Sequence, residues 1–383
     1  EMRAHKNAVS EKIAKVTEEE DRKKIIGEMR ELDVRQDGLE FELQTKKKHL
    51  DELLMMIPNL PQDDVPVGSD EKGNIVLREV GKKPKFDFTP KDYMALGEEL
   101  QIINTERAVK ISGSRFGYLK REAALLEFAL VQFALETLGK ENFIPILPPV
   151  LVKPEMMQAM GYVERGGEEI YYIEKDNLYL VGTSEQAIGP LHADEIFSEE
   201  ELPARVVAFS TCFRREAGSY GKDTKGILRV HQFDKVEMFS FCHPEKSREE
   251  HRFLLSMEEK LMQALEIPYR VINICTGDLG DPAAAKYDIE AWLPGQNEYR
   301  ETHSTSNTTD FQSRRLNIKY RDSKTWKTEF VHMLNGTAFA IGRTIIAILE
   351  NYQQKDGSIK IPEVLQKYAG FAEIKNTSLG RVR

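Results

Sequence analysis

Cysteine is scarce in this chain of 383 residues, which contains only Cys212, Cys242 and Cys275. An odd number of widely spaced cysteines, without a C-x-x-C pair, argues against a disulfide framework. The same scarcity disfavours a structural zinc site, which needs clustered cysteine and histidine ligands. We therefore expect a protein of a reducing compartment, such as the cytoplasm, and we expect no zinc.

Long hydrophobic runs are also lacking. The longest nearly uncharged stretch, residues 333–349, contains Asn335, Gly336 and Arg343 and is too short and polar to span a bilayer comfortably. No stretch resembles a signal peptide. These absences predict a cytoplasmic protein with no membrane partner. The chain opens at Glu1 within what looks like a helix, which suggests a natural N-terminus further upstream.

Several familiar nucleotide-binding and catalytic motifs do not occur in the sequence. It contains neither G-x-x-x-x-G-K-[ST] nor G-x-G-x-x-G, which disfavours a P-loop or Rossmann nucleotide site. It also contains neither H-E-x-x-H nor G-x-S-x-G. The net charge of -9 gives no global sign of a nucleic-acid-binding protein, although whole-chain balance can hide a local basic strip.

Residues 1–57 carry a narrow apolar seam. It begins with Val9, Ile13 and Val16, which are spaced four and three residues apart. After a charged break at residues 17–21, the seam continues through Ile25, Met29, Leu32, Leu39, Leu43, Leu50, Leu53 and Ile57, with Gln36 and Lys46 as polar exceptions. A seam of this kind, surrounded by charge, predicts two helices packed as an antiparallel coiled-coil hairpin.

The rest of the chain has mixed patterning. Prolines at positions 58, 61 and 66 end the helical region, and residues 58–92 have the composition of a linker. From residue 93 onward, apolar helices are predicted near residues 122–138 and 338–352. Strands are predicted at residues 143–152, 171–181, 206–213, 228–241 and 269–275. Because hairpins and loops join most of these strands, we expect an α+β fold with an antiparallel sheet flanked by helices.

The segment FRREAGSYGKDTKGILRVHQFDKVEMF, residues 213–239, holds the largest group of candidate functional side chains. Side chains alternate along a strand, so Arg229, Phe233 and Glu237 share one face, and Arg214 and Glu216 can lie on the partner strand. Guanidinium groups hold phosphate oxygens in a bidentate fork, a ring can stack on a base, and a carboxylate can hold an ammonium group. The alternative is an exposed hairpin with cross-strand ion pairs.

Three other segments supply candidate ligands. Arg343 is the single charge in residues 333–349 and needs an anion, either a phosphate or a structural carboxylate. Thr183 and Glu185 lie at a predicted strand-to-helix turn, where they line a polar pocket or where Thr183 and Gln186 form a capping box. The run ETHSTSNTTDFQSRR, residues 301–315, is rich in hydroxyls and amides and suits either a ligand rim or an ordinary loop.

Together these motifs resemble those of bacterial-type seryl-tRNA synthetases, which are class II aminoacyl-tRNA synthetases. The resemblance covers essentially the whole chain, and FRREAGSYGKD, RVHQFDKVE and NGTAFAIGR carry it most specifically. It implies a coiled-coil arm at residues 1–57 that binds tRNA and a class II catalytic domain at residues 93–383. It also implies ATP-dependent activation of L-serine, transfer of the seryl group to tRNA(Ser) and tRNA(Sec), and a homodimer.

The resemblance assigns roles to individual positions, with Arg214 and Arg343 as catalytic residues. The matching ATP-binding positions are Arg214, Glu216, Arg229, Val230, Phe233, Glu301, Ser304 and Arg343. The matching serine-binding positions are Thr183, Glu185, Arg214, Glu237 and Thr337. Glu301 and Ser304 match the positions that hold Mg²⁺ together with ATP.

His303 and Thr305 depart from the family pattern, which commonly has serine and cysteine at these positions. The departures put local details of the ATP and serine rim in doubt. Two alternative functions are a synthetase-like ligase that charges a carrier protein or another small amino acid, and a non-catalytic RNA-binding paralogue. The helical hairpin argues against the first, and the presence of Arg214, Glu237 and Arg343 argues against the second.

Overall fold

The computed structural model describes residues 18–163, 167–217, 223 and 225–375, together with residues 6 and 9. The chain divides into two units, residues 1–57 and residues 58–383. No helix within the described ranges combines the length and the apolar character needed to cross a membrane.

The first unit is built on one long helix, α1 (Glu19–Met55). Acidic residues Glu19, Glu20 and Asp21 occupy its first turn, where a negative charge favours the helix N-terminus. Lys6 and Val9 are also helical, and Lys6 forms an ion pair with Asp33. Lys6 precedes the charged break at residues 17–21 and Asp33 follows it, so their contact agrees with the predicted antiparallel hairpin.

The predicted seam differs in burial along α1. Ile25, Met29 and Leu32 are half-buried, as expected for residues that face a second helix. Leu39 and Leu43, further along, are exposed, and so are Leu50 and Leu53. The seam positions Ile13 and Val16 lie outside the described residues.

The second unit is a mixed α+β structure. Its α-helices are α2 (Tyr93–Glu99), α3 (Thr105–Ser112), α4 (Glu122–Gly139), α5 (Pro154–Ala159), α6 (Glu185–Ile188), α7 (Ser247–Ala264), α8 (Phe311–Leu316), α9 (Ile341–Asn351) and α10 (Glu363–Ala369). Short 3-10 turns span Glu71–Gly73, Gly167–Glu169, Gly189–His192, Glu199–Glu201 and Pro244–Lys246.

The strands are numbered in chain order. Those of the first half are β1 (Ile75–Val80), β2 (Ile103–Asn104), β3 (Tyr118–Leu119), β4 (Ile144–Ile146), β5 (Leu151–Val152), β6 (Tyr172–Ile173), β7 (Leu178–Leu180), β8 (Ile196–Ser198) and β9 (Ala204–Phe213). Those of the second half are β10 (Gln232–Cys242), β11 (Tyr269–Asn273), β12 (Ala285–Leu293), β13 (Glu298–Asn307), β14 (Lys319–Arg321), β15 (Thr328–Phe330), β16 (His332–Ala340), β17 (Ile359–Lys360) and β18 (Glu373–Ile374).

An eight-stranded sheet organises this unit, in the order β1-β11-β12-β13-β16-β10-β9-β4. All neighbouring strands are antiparallel except β4 and β9, which are parallel. Helices α4, α7 and α9 bury their apolar side chains against one face of the sheet, and this layer forms the main hydrophobic core. The α+β architecture with a flanked antiparallel sheet is therefore as predicted.

Three predicted boundaries were wrong. The apolar run at residues 338–352 is not a single helix, because β16 continues through Ala340 before α9 begins. Residues 143–152 form two short strands in different sheets, with prolines at positions 145, 148 and 149 interrupting the backbone donors. The predicted strand at residues 228–241 begins only at Gln232.

Two segments are more ordered than their composition indicated. The polar run at residues 301–315 is not an ordinary loop, since residues 301–307 belong to the central strand β13 and α8 follows. Strand β12 was not predicted. Within residues 58–92, where a linker was expected, β1 pairs with β11 at the edge of the large sheet.

Candidate active site

A cavity of about 610 Å³ lies on the face of the large sheet that the core helices leave open. Strands β10, β13 and β16 contribute its floor, and the segments that follow β7 and β9 contribute its walls. Every predicted site residue lines this cavity: Thr183, Glu185, Arg214, Glu216, Arg229, Val230, Phe233, Glu237, Glu301, Ser304, Thr337 and Arg343. Residues separated by up to 160 positions in the sequence therefore meet in one place.

An arginine cluster, formed by Arg214, Arg229 and Arg343, borders one part of the cavity. Arg214 follows the end of β9, and its guanidinium carbon lies 5.3 Å from the centre of the Phe233 ring on β10. Its Nε donates to the carbonyl oxygen of Gly182 over 3.1 Å, which orients the side chain. An arginine beside an aromatic ring that lines the cavity is an arrangement that suits a planar base with attached phosphates.

The other two arginines of the cluster have carboxylate partners. Arg229 Nη1 lies 3.0 Å from a carboxylate oxygen of Glu216. Arg343 Nη1 lies 3.1 Å from Glu301 Oε1 and also donates to the Glu301 carbonyl oxygen over 3.0 Å. The structural-carboxylate alternative for Arg343 is thus realised, and the guanidinium still faces the cavity.

An acidic cluster, formed by Glu185 and Glu237, borders another part of the cavity. Glu185 accepts hydrogen bonds from the Tyr162 hydroxyl and from Gln312 Nε2, each over 2.8 Å. Glu237 forms an ion pair with Lys235, two residues earlier on the same face of β10. Burial raises the pKa of both carboxyl groups, and the positive charge of Lys235 counteracts the rise.

The turn at Thr183 differs from the predicted capping box. The side chain of Gln186 accepts a hydrogen bond from the Gly182 N–H over 2.7 Å, not from that of Thr183. Thr183 Oγ1 accepts from the Glu185 N–H over 3.3 Å, which places the buried Glu185 side chain at the cavity wall. The turn therefore positions Glu185 without the predicted reciprocal cap.

The floor beside Glu301 is rich in oxygen ligands. Ser304 on β13 pairs with Asp288 on β12, and both side chains lie on the cavity face. Lys286 Nζ lies 3.6 Å from Asp288 Oδ2. Burial raises the pKa of Asp288 to about 6, against the opposing effect of Lys286. Within the described ranges, no three or more His, Cys, Asp or Glu side chains are grouped so as to hold a metal ion.

The loop between β9 and β10 is anchored where it returns to the sheet. Gly226 has a φ of +81°, and a Cβ atom there would lie 1.9 Å from the Tyr93 hydroxyl oxygen. That hydroxyl accepts a hydrogen bond from the Ile227 N–H over 3.2 Å. Only glycine fits this close approach, which leads the chain into the cavity-lining residues Arg229 and Val230.

Several cavity residues were missed by the sequence analysis. Lys235 could have been found, because it lies between Phe233 and Glu237 at strand spacing and shares their face. Tyr162, which follows α5, also lines the cavity, and Gln312 on α8 contacts Glu185 without lining it; no motif links either residue to Glu185. Lys286 lies on β12, the strand that was not predicted.

The departures at His303 and Thr305 do not reach the cavity. Strand alternation turns these two side chains to the helix-covered face, whereas Ser304 and Ser306 line the cavity. Both side chains are fully buried, and burial lowers the pKa of His303 to about 4. The differences from the family pattern at His303 and Thr305 therefore affect the packing between the sheet and the core helices, not the side chains that line the ATP and serine cavity.

Comparisons with known proteins give a consistent result across the chain. Residues 1–61 match the family described as the seryl-tRNA synthetase N-terminal domain, and residues 170–352 match the tRNA synthetase class II core domain (G, H, P, S and T). A serine–tRNA ligase of Thermobifida fusca is 48% identical over 369 residues, covering 96% of this chain and 86% of the relative. One from Acidothermus cellulolyticus is 53% identical over 319 residues, covering 83% and 75%.

A solved structure extends the similarity to three dimensions. The seryl-tRNA synthetase of Pyrococcus horikoshii, determined in complex with ATP, superposes with a TM-score of 0.91. The two sequences are 44% identical, and the match covers 97% of this chain and 88% of that one. The fold and the residues of the cavity thus indicate the same family as the sequence matches, which cover nearly the whole chain. The chain belongs to the seryl-tRNA synthetase family and carries its class II catalytic core.

Proposed function

We propose that this protein is a serine–tRNA ligase that activates L-serine with ATP and transfers the seryl group to tRNA(Ser). The observation that carries the proposal is the single cavity that holds the arginine cluster, the Phe233 ring and the acidic cluster together. It offers a base-stacking surface, cations for phosphates and a carboxylate for an ammonium group. These are the groups that an amino acid and ATP present when they react with each other.

The ATP part of the cavity follows from the cations and the ring. The adenine stacks on Phe233, beside the Glu216 carboxylate and the Val230 backbone, and Arg343 covers the nucleotide from the opposite side. Arg214 binds the α-phosphate, and Arg229 extends the cationic surface. The ion pairs of Arg229 and Arg343 with Glu216 and Glu301 hold both guanidinium groups at the rim of the cavity.

The serine part of the cavity follows from the acidic cluster. Glu237 holds the serine ammonium group, and Thr183, Glu185 and Thr337 contact the small polar side chain. The serine carboxylate then attacks the α-phosphorus in line with the leaving oxygen, which gives seryl-adenylate and pyrophosphate. Positioning of the two substrates and neutralisation of the developing negative charge by Arg214 suffice, so no protein nucleophile is required.

The floor at Glu301 and Ser304 fits Mg²⁺. Magnesium ions prefer oxygen ligands and are commonly held by one or two carboxylates together with substrate phosphates. Asp288 pairs with Ser304 across β12 and β13, so a further carboxyl group lies next to this floor. A bound Mg²⁺ would neutralise phosphate charge, and Glu301 and Ser304 are the residues that would hold it.

The second step places the terminal ribose of tRNA at the same cavity. A ribose hydroxyl attacks the seryl carbonyl carbon, and AMP leaves with the bonding electron pair. Residues 1–57 form the tRNA-binding arm, residues 58–92 connect it, and residues 93–383 form the catalytic domain. Exposed basic clusters at residues 22–24 and 46–48 offer contacts to tRNA phosphates.

The proposal includes tRNA(Sec) as a further substrate. It places the enzyme in the cytoplasm.

Phe233→Ala is expected to raise the KM for ATP about tenfold while the KM for serine changes less than about twofold. Stacking of a base on an aromatic side chain contributes about 1–3 kcal/mol, and alanine removes it. Initial rates of pyrophosphate exchange at varied ATP and varied serine measure both constants. Phe233→Tyr, which keeps the ring, should remain close to the wild type; an unchanged KM for ATP in the alanine variant would remove Phe233 from the adenine site.

The enzyme is a homodimer through the β4 edge of the large sheet. Phe128 on α4, Ile144 on β4 and Leu147 beyond it are all more than 60% exposed, and they lie near the β4 edge of the sheet, which no other strand of the described residues pairs with. Leu147→Asp should therefore shift the protein from dimer to monomer in sedimentation velocity. Trp326→Asp, a control at an exposed aromatic in the turn before β15, should leave the dimer intact. A monomeric wild type, or a dimeric Leu147 variant, would contradict this interface.

Attachment of labelled serine to tRNA tests the proposed function. Wild-type protein with ATP and total tRNA should form acid-precipitable seryl-tRNA. Transfer of serine to a carrier protein instead of tRNA would favour the carrier-protein ligase. Binding of tRNA with neither adenylate formation nor transfer would identify an RNA-binding paralogue.

A further inference from the structure

Glu258 is a buried acid that the proposed mechanism does not use. It lies on α7, on the face of the helix that packs against the large sheet, and none of its surface is exposed. Neither carboxyl oxygen has a hydrogen-bond partner of ordinary geometry in the described part of the chain. An unsatisfied polar group in such a place costs free energy, so its presence calls for a physical reason.

The carboxyl group lies directly behind the cavity floor. A Cβ atom at Gly336 would lie 3.2 Å from Glu258 Oε1, so the absence of a side chain there lets the carboxyl approach the β16 backbone. Thr305 Oγ1 and Met238 Cε complete this contact from β13 and β10. The Thr305 hydroxyl is already used, because it donates to the Asn335 carbonyl oxygen over 2.8 Å.

The nearby backbone is irregular at the same point. The register between β10 and β16 shifts between Val236 and Glu237, so Val236 pairs with Phe339 and Glu237 pairs with Thr337. A bulge of this kind redirects side chains and leaves part of the ladder unpaired. The backbone N–H of Thr337 faces the Glu258 carboxyl group. Glu258 thus lies behind the bulge that brings Glu237 and Thr337 to the cavity side.

The surroundings of Glu258 favour its neutral form. Burial raises its pKa well above the ordinary value, and the negative charges of Asp288 and Glu237 raise it further. A neutral carboxylic acid can accept a backbone hydrogen bond without the cost of an unpaired buried charge. It can also be replaced by glutamine, which has the same shape and the same carbonyl acceptor.

We propose that Glu258 is a positioning residue for the amino-acid site, and that its carboxyl group holds the Gly336–Thr337 segment of β16 at the depth that admits serine. This inference rests on the proposed role of Thr337 in binding serine. Glu258 touches neither substrate and acts through the backbone of the floor. Its loss should therefore weaken serine binding more than ATP binding.

Three variants test this proposal. Glu258→Leu keeps the approximate volume of the side chain and removes its hydrogen-bond acceptor. Glu258→Gln keeps both the volume and the carbonyl acceptor. Glu259→Gln is the matched control, one residue further along α7. The Glu259 carboxylate is bound to Arg78 and to the Tyr269 hydroxyl at the β1 and β11 edge of the sheet. Circular dichroism establishes that each variant is folded.

The first measurement is pyrophosphate exchange at varied serine and varied ATP. Glu258→Leu should raise the KM for serine about tenfold and leave the KM for ATP within about twofold, which corresponds to about 1.4 kcal/mol lost from serine binding alone. Glu258→Gln and Glu259→Gln should match the wild type. An unchanged KM for serine in Glu258→Leu, or an equal rise in both constants, would overturn the proposal.

The second measurement does not depend on whether the proposed enzymatic function is correct. Hydrogen–deuterium exchange of a peptide covering residues 333–340 should be at least about tenfold faster at the Thr337 amide in Glu258→Leu, and unchanged in Glu258→Gln. Unchanged exchange in the leucine variant would overturn the positioning role. A wild type without serine-dependent activity would reject the proposed function separately, and the exchange rate at Thr337 would still decide whether Glu258 holds the floor.

Discussion

Replacement of Arg214 by alanine is expected to reduce serine-dependent pyrophosphate exchange by about 10²–10³-fold, while the protein stays folded. The guanidinium is the cation beside the Phe233 ring at the junction of the arginine and acidic clusters. In the proposed mechanism it stabilises the charge that develops at the α-phosphate in the transition state, and removal of one such preorganised donor typically costs about 10²–10³ in rate. Exchange of labelled pyrophosphate into ATP measures the loss.

The fold should survive this change. Arg214 is half-buried, and within the described part of the chain its side chain donates from Nε to the Gly182 carbonyl oxygen. Loss of a hydrogen bond from a charged group costs about 2 kcal/mol, less than the usual stability of about 5–15 kcal/mol. Arg215→Ala is the matched control, since this neighbouring guanidinium lies over the Tyr171 ring at 5.8 Å and does not line the cavity. Retained exchange in Arg214→Ala would show that another group binds the α-phosphate.

Glu237→Gln is expected to raise the KM for serine by about 10- to 100-fold with little change in the KM for ATP. The substitution keeps the shape of the side chain and removes the charge that, in the proposed site, pairs with the serine ammonium group. Hydrogen bonds between charged groups contribute about 1.5–3 kcal/mol, which sets the size of the effect. Saturation curves for serine and ATP in the exchange assay separate the two constants.

A control on the same strand isolates the effect of the cavity-facing charge. Asp234 lies on the opposite face of β10, near Glu127 of α4, and the pKa of Glu127 is raised to about 8 by burial and by this neighbouring carboxyl group. Asp234→Asn should leave the KM for serine within about twofold of the wild-type value. If Glu237→Gln binds serine as well as the wild type does, the ammonium group is held elsewhere and the proposed orientation of serine is wrong.

The sequence was most informative where residues of one site lie close together along the chain. Phe233 and Glu237 are on one strand, so alternation alone predicted their common face, and it extends to Lys235. Arg214 follows the paired strand, so a hairpin was enough to bring it near. These local relations, together with the specific motifs, predicted residues that the structure brings into one cavity.

The contacts and strands that were not predicted from the sequence depend on long-range packing. Gln312 meets Glu185 across a separation of 127 residues, and nothing in either segment encodes that contact. Residues 338–340 at the end of β16 continue directly into the apolar residues of α9, and a buried strand cannot be distinguished from a buried helix by periodicity. The polar strand β13 was obscured for the opposite reason, because its cavity face carries serines in place of apolar residues.

The most direct test of the proposed function is pyrophosphate exchange by the wild-type protein with each of the twenty amino acids in turn. The proposed function predicts ATP–pyrophosphate exchange that depends on L-serine, with alanine and glycine at least about 100-fold less effective in kcat/KM. The Glu237 carboxylate and the proposed hydroxyl-binding residues Thr183, Glu185 and Thr337 all line the cavity, and an amino acid without a hydroxyl would leave buried polar groups unpaired. Exchange with another amino acid in preference to serine, or no exchange with any, would contradict the proposal.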